Sequence, residues 1–552
     1  MNVGDLVAKF LSDIDTKVVF AIISVHNIPI MDGIARNGKM KVVMTRGEMG
    51  ASHMADGCAR ISGEVGVLVT STGPGAANAV SGLLEANFAG TPLLHITGQV
   101  ATPMLGRDTG TTHGVKDQFG MLRSVCKATY HVTSADEAWG VLSQAYADAF
   151  TAPMGPVSVE IPIDIQRQEV SCQNLPKAGS VVTKTVELPS DAAIERMVGE
   201  IIAARRPMLW VGGGARHCSD ILSDFLELGF GMVSSWSGRG IVAEDNPMNL
   251  GALNGSGSQD VEDFYGSVDL MIVLGSRLRG QETVDQSVRL PQKRIQIDID
   301  AKAHGRTYQV DQFVHGDCRA VLLSLRRRLA GKMRVDEGYR DSFVSLKERA
   351  RRNYAKTLGP YASFATDLRS VLPRDCLWIR DITVANSTWG HRLFEVYGPR
   401  TAAHPVGAGI GQGLPLAIGA ALAAAGRRTV LLSGDAGFVM NLGELWTAKQ
   451  EGLDILMIVM NDAGYGVIKH MQDAAYGGRR VYGDLDPPNF ELLAACVGIN
   501  YAKVRCATDF ADIVRSLGAT VGLSLVEVDM CTIGEAPPYH PFLKREPGAS
   551  ST

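Results

Sequence analysis

The chain carries nine cysteines but no Cys-x-x-Cys pair. An odd, scattered set argues against a disulfide framework or a structural zinc site and fits the reducing cytosol. Long apolar runs are also missing: none reaches the roughly 18 residues that a membrane-spanning helix needs. At the N-terminus, MNVGDLVAKFLSDID lacks the uninterrupted apolar core of a signal peptide, because Asp5, Lys9 and Asp13 break it into an amphipathic helix. Charge bias is small, with a net charge of −4 and 20% charged residues, so nothing marks a nucleic-acid partner. The expectation is a soluble, cytoplasmic protein with no membrane or nucleic-acid partner. Its 552 residues leave room for two to four domains.

What is present is a repeated strand and helix rhythm. Val18 to Ile23 is an apolar run ending in Ser24-Val25-His26-Asn27, and strands are expected at 41–44, 65–70, 93–98 and 157–161. The helix after residue 44 is rich in small residues, Gly50, Ala51, Ala55, Gly57 and Ala59, which suit close packing. Residues 167–190 lose the rhythm and read as a linker. A second block has strands at 208–211, 232–234, 270–274 and 295–299. Its Gly212-Gly213-Gly214 lacks the G-x-G-x-x-G spacing, so a nucleotide role there stays open. The basic stretch 322–352 reads as a solvated helical connector, and the tail after Cys531 as a flap or mobile end. The pattern predicts an α/β chain of three doubly wound parallel-sheet domains, at 1–170, 186–335 and 356–552.

The richest stretch runs from Arg428 to Gly466. Thr429 to Ser433 is a strand broken by Gly434-Asp435-Ala436-Gly437, and Ile455 to Met460 is a second one stopped by Asn461-Asp462-Ala463-Gly464. A helix is expected to begin near Phe438. Two strands joined by one helical crossover must be parallel, so Asp435 and Asp462 open onto the same crevice. Magnesium takes one or two carboxylates there and completes its shell with water and phosphate oxygens. The alternative is that both are ordinary turn residues. Glu48 lies among Met44, Met49 and Met54, where desolvation would raise its pKa; the alternative is a first-turn carboxylate complementing the helix dipole.

The pairing of Gly434-Asp435-Ala436 with Asn461-Asp462 resembles the thiamine-diphosphate motif, which begins Gly-Asp-Gly and closes with Asn-Asn. Ala436 and Asp462 are two departures, the second keeping an oxygen ligand. Arg46 to Arg60, Thr72 to Asn78, Leu270 to Arg277 and Gly409 to Pro415 are likewise similar to segments of the acetolactate synthase, benzoylformate decarboxylase and benzaldehyde lyase group, above all the acetolactate synthase-like large subunits.

That resemblance implies a pyrimidine-binding domain first, a central domain open to FAD, and a diphosphate-binding domain last. It implies Mg2+ ligation by Asp435, Asp462 and the main-chain carbonyl of Gly464. Cofactor contacts would come from Gly73, Pro74, Asn78, Ala408, Ile410, Gly434, Ala436, Gly437 and Tyr465, with Ile410 under the thiazolium. Glu48 would hydrogen-bond the aminopyrimidine. His26 and His113 would face the substrate as proton donors or shuttles, surface residues being the alternative for each. The cofactor would lie between the first domain of one subunit and the third domain of its partner, so at least a homodimer, with a homotetramer expected, is implied. The activity implied is decarboxylation of a 2-oxo acid such as pyruvate and ligation to a second carbonyl. Alternatives are a non-oxidative decarboxylase or aldehyde lyase, and a non-catalytic subunit of the same fold.

Overall fold

The computed structural model describes residues 1–107, 110–171, 175–179 and 188–537. Its three sheets are all parallel. The first runs in the order Lys41–Met44, Val18–Ala21, Gly66–Thr70, Leu93–Gln99, Pro156–Pro162, Ala128–His131. The second runs Gln312–His315, Arg294–Asp298, Leu270–Leu274, Pro207–Val211, Gly231–Ser234. The third runs Ala402–Ala403, Leu377–Arg380, Thr429–Gly434, Ile455–Asn461, Ser524–Asp529, Asn500–Val504. Each central strand is buried on both faces, which is why these strands read as unbroken apolar runs rather than as alternation.

The first and third sheets share one strand order, although their sequences show no repeat. They also share one apolar core: Phe20, Val43 and Leu68 of the first domain belong to the same cluster as Leu377, Leu416 and Leu431 of the third. The contact is made by two helices, Glu48–Ser62 and Gly413–Ala423, and small residues let their backbones touch. A Cβ on Gly57 would lie 2.3 Å from the Leu416 carbonyl oxygen, and one on Gly419 would lie 1.9 Å from that of Met54.

The basic stretch forms two helices, Cys318–Leu329 and Tyr339–Lys356, whose arginines stay partly in water and pair with acids of the central domain: Arg326 with Asp224, Arg328 with Asp191 and Glu195, Arg349 with Asp260. The expected linker is described only at 167–171, 175–179 and 188–190, and Asn2 bridges to Glu169 there. Of the tail, residues up to 537 lie against the body, the Tyr361 hydroxyl donating to the Gly534 carbonyl; the rest of it lies outside the described residues.

Candidate active site

Register brings the two acids together. Gly434 pairs with Met460 across neighbouring strands, so Asp435 and Asp462 emerge at the same sheet end. Their carboxyl groups lie close enough to act on each other's charge, and Asp435 Oδ2 accepts the Gly464 amide at 3.0 Å. Burial pushes both carboxyls up, and at Asp462 the charge of Asp435 adds to it. Asp435 is 1% exposed, and its Oδ1 has no hydrogen-bond partner among the described residues. Two carboxyl groups at adjoining strand ends, one with an orphaned oxygen, make an all-oxygen donor set that fits Mg2+. The helix begins at Asp435 itself, not near Phe438, and stops at Met440 before a second one, Glu444–Gln450. Tyr465 N-caps the helix Gly466–Ala475 just beyond, its amide donating to the Gly483 carbonyl.

A third buried acid, Asp381, was not picked out from the sequence. It ends the strand Leu377–Arg380 and accepts the amides of Ile382 (2.7 Å), Gly411 (3.0 Å) and Gly413 (3.0 Å). Burial raises its pKa to about 6. These bonds fix the loop that carries Ala408, in the left-handed region at φ 62°, and Ile410. Ile410 Cγ1 is so close to Gly437 that a Cβ on that glycine would lie 3.1 Å from it. Lys469, equally unforeseen, sends its Nζ to the carbonyls of Asp462 and Ala463 (3.3 Å each) and pairs with Asp484 at 2.9 Å.

In the first domain Glu48 opens its helix and is 9% exposed. Asn78 Nδ2 donates to its Oε2 at 3.1 Å, and a Cβ on Gly75 would lie 3.0 Å from its Oε1. Gly73 turns at φ 58° ahead of the helix Pro74–Ala89, and no side chain fits there because a Cβ would lie 2.0 Å from the His113 carbonyl oxygen. Gln118 Oε1 receives the Gly73 amide at 2.6 Å and the Thr72 hydroxyl at 2.8 Å. Its Nε2 donates to Glu160 at 2.8 Å.

The two substrate-facing candidates, His26 and His113, are neighbours, their ring centroids 5.3 Å apart. His113 Nδ1 is 3.5 Å from Ser71 Oγ, which is hydrogen-bonded to Ser24 Oγ. Burial first and the charge of His113 second lower the pKa of His26, whose Nδ1 has no partner among the described residues. Beside the turn that presents His113 lies a cavity of about 450 Å³, lined by Gln99, Val115, Lys116, Gln118, His131 and Glu160 among others.

The central domain places Gly212–Gly214 and Gly275 at the point where its strand order reverses, the usual ligand crevice of such sheets. The loops pack tightly: a Cβ on Gly212 would lie 2.2 Å from the Gly275 carbonyl oxygen. Burial and neighbouring arginines lower the pKa of Arg216 to about 10 and also lower that of Arg277. Arginines gathered at a switch point fit a phosphate-bearing group.

Comparison with known proteins agrees with this layout. Models of the N-terminal TPP binding domain, the central domain and the C-terminal TPP binding domain of thiamine pyrophosphate enzymes match residues 1–121, 194–325 and 383–528. An acetolactate synthase large subunit from Corynebacterium glutamicum is 30% identical over 526 residues, 92% of this chain and 83% of the relative. One from Lactococcus lactis is 28% identical over 92% of this chain and 89% of its own. A probable 2-ketoarginine decarboxylase from Pseudomonas aeruginosa is 29% identical over 95% and 92%. With three domain models matched in order and a 30% identical relative spanning nearly the whole chain, this protein belongs to the thiamine pyrophosphate enzyme family, alongside the acetolactate synthase large subunits.

Proposed function

We propose that the chain is a thiamine diphosphate- and Mg2+-dependent carboligase that decarboxylates a 2-oxo acid such as pyruvate and joins the remaining fragment to a second carbonyl. The observation that carries this is the pair Asp435 and Asp462, desolvated and facing each other at adjoining strand ends, with an oxygen of Asp435 left over for a cation. When bound, the cofactor supplies an electron sink for the loss of carbon dioxide. Asp435, Asp462 and the Gly464 carbonyl would hold Mg2+, and Gly434, Ala436, Gly437 and Tyr465 would border the diphosphate. Ile410 and the carbonyl of Ala408 would shape the cofactor's bend. Glu48, steadied by Asn78, would hold a proton at a pyrimidine nitrogen, with Gly73 and Pro74 giving that ring room. His26, kept neutral by burial, would exchange a proton with a substrate oxygen, and His113 would do so beside it.

The same reading divides the chain at 1–170, 186–335 and 356–552, makes it a homodimer or homotetramer, and places it in the cytoplasm. Among the described residues no helix is long and apolar enough to cross a membrane. FAD is the candidate for the Arg216 and Arg277 crevice, and visible absorption of the purified protein reads it out directly. A second reading, decarboxylation or aldehyde lysis of a bulkier substrate, is favoured by the cavity beside His113 and by the likeness to a 2-ketoarginine decarboxylase. Calorimetry with thiamine diphosphate and Mg2+, followed by assays of pyruvate, benzoylformate and benzoin, tests both. We expect binding that weakens at least ~100-fold in Asp435→Ala, and turnover that falls at least ~100-fold in Glu48→Gln. Wild-type turnover by Glu48→Gln would remove that glutamate from the mechanism.

A further inference from the structure

Two buried carboxylates from different domains bracket the loop that carries Ile410. On its C-terminal side Asp381 accepts the amides of Gly411 and Gly413. On its N-terminal side the acid comes from the first domain. Glu85, in the helix Pro74–Ala89 and 2% exposed, accepts the Val406 amide at 2.5 Å on one oxygen and the Gly407 amide at 2.9 Å on the other. Arg60 locks that carboxylate in place: its Nη2 donates to Glu85 at 2.9 Å, its Nη1 to the His404 carbonyl at 2.6 Å, and its Nε to Asp56 at 2.8 Å. Arg279 of the central domain completes the grip through the Val406 carbonyl at 2.7 Å. Immediately after this clamp the chain enters the left-handed region at Ala408, φ 62°, and does so again at Gly411, φ 90°. A non-glycine residue holds such a conformation only where its surroundings over-determine it.

We propose that Glu85 is a positioning residue: from the first domain it holds the backbone of the third-domain loop 404–411 and so sets where Ile410 stands. The proposal rests on the reading that this loop borders the cofactor, but its structural half does not. Glu85 supplies two acceptor oxygens to two adjacent amides, and nothing neutral of the same shape can do that. In Glu85→Gln the carboxamide keeps one acceptor and turns donor hydrogens toward the other amide, so one bond is lost and a donor faces a donor.

Hydrogen exchange on the apo chain tests the clamp. We expect the Val406 and Gly407 amides of the wild type to be protected like the strand Thr429–Gly434. Peptides spanning 404–411 should exchange at least ~10-fold faster in Glu85→Gln, with that strand unchanged. Arg279→Met, which removes the donor to Val406 and a 3.6 Å pairing with Glu282 but leaves the Arg60, Asp56 and Glu85 cluster intact, should accelerate the same peptides to a smaller extent, and it decides the matter if Glu85→Gln does not fold. In turnover, Glu85→Gln should lower kcat about 10–100-fold while KM for the 2-oxo acid changes little, the mark of a displaced group rather than a lost binding contact. Unprotected amides in the wild type, loop exchange unmoved in both variants, or acceleration spread evenly over the third sheet would overturn the proposal. Calorimetry of the wild type with thiamine diphosphate tests the functional reading separately, because the exchange measurement needs no cofactor.

Discussion

His26 shows how a single side chain acquires a property its sequence neighbours do not announce. Its ordinary pKa of 6.5 is lowered first by burial and then by His113. The sign for stability follows. Below pH 6.5 the unfolded chain takes up a proton that the folded site resists, so stability declines as pH falls from 6.5 through the folded pKa, and above 6.5 this residue contributes no slope. An NMR titration should give His26 a midpoint below 6.5, and His113→Ala should raise that midpoint only part of the way, because burial is the larger cause. A midpoint at or above 6.5 would mean that the ring is solvated. Glycine-bounded turns after apolar runs mark strand ends, and that put Asp435 and Asp462 forward; Glu48 was singled out by the resemblance of Arg46 to Arg60, its place at a helix start speaking equally for a dipole-complementing carboxylate. Asp381, Gln118, Glu85 and Lys469 were not. Glu85 meets its loop across 321 positions and Asp381 across 30, and no local pattern encodes a contact of that span.

At the scale of elements, every interior strand announced itself, whereas four of the six edge strands did not. Leu270–Leu274 and the edge strand Lys41–Met44 have the expected bounds, and the other expected strands differ by one or two residues. The strands that pattern reading missed, Ala128–His131, Gln312–His315, Ala402–Ala403 and Asn500–Val504, all lie at sheet edges. Half-buried edges carry mixed side chains, as in Asn-Tyr-Ala-Lys-Val, and so lack the apolar run that betrays an interior strand. Glycine content likewise says little until its surroundings are known. Gly419 has the Met54 carbonyl where a side chain would go, whereas Gly199, exposed in the helix Asp191–Ala203, has open space. Urea denaturation should therefore find Gly419→Ala destabilised by about 1–3 kcal/mol, by overpacking between two helices, and Gly199→Ala stabilised by about 0.5–1 kcal/mol through helix propensity. Equal effects would show that the helix contact between the domains yields easily.

For the whole molecule the open question is which halves of the site meet. The Glu48 side is rimmed by exposed apolar side chains, Ile23, Val25 and Ile28 beside the His26 loop and Leu84 and Phe88 on the helix that carries Asn78. The Asp435 side has its own, Val439, Met440 and Ile468. Apolar groups left in water at both half-sites are what an isologous pair would cover, each chain lending its first domain to the other's third. That arrangement has a consequence a single-chain site lacks. Homogeneous Glu48→Gln and Asp435→Ala proteins should each be inactive. In a mixed dimer of the two, one site inherits both defects, while the other combines an intact Glu48 with an intact Asp435. Equal amounts, mixed and allowed to exchange subunits, should therefore recover about a quarter of wild-type turnover, half the dimers being mixed and half of their sites whole. If both halves came from one chain, every site in the mixture would keep a defect and no activity would return. Sedimentation of the mixture, run alongside, must show dimers or larger for the recovered activity to be read this way.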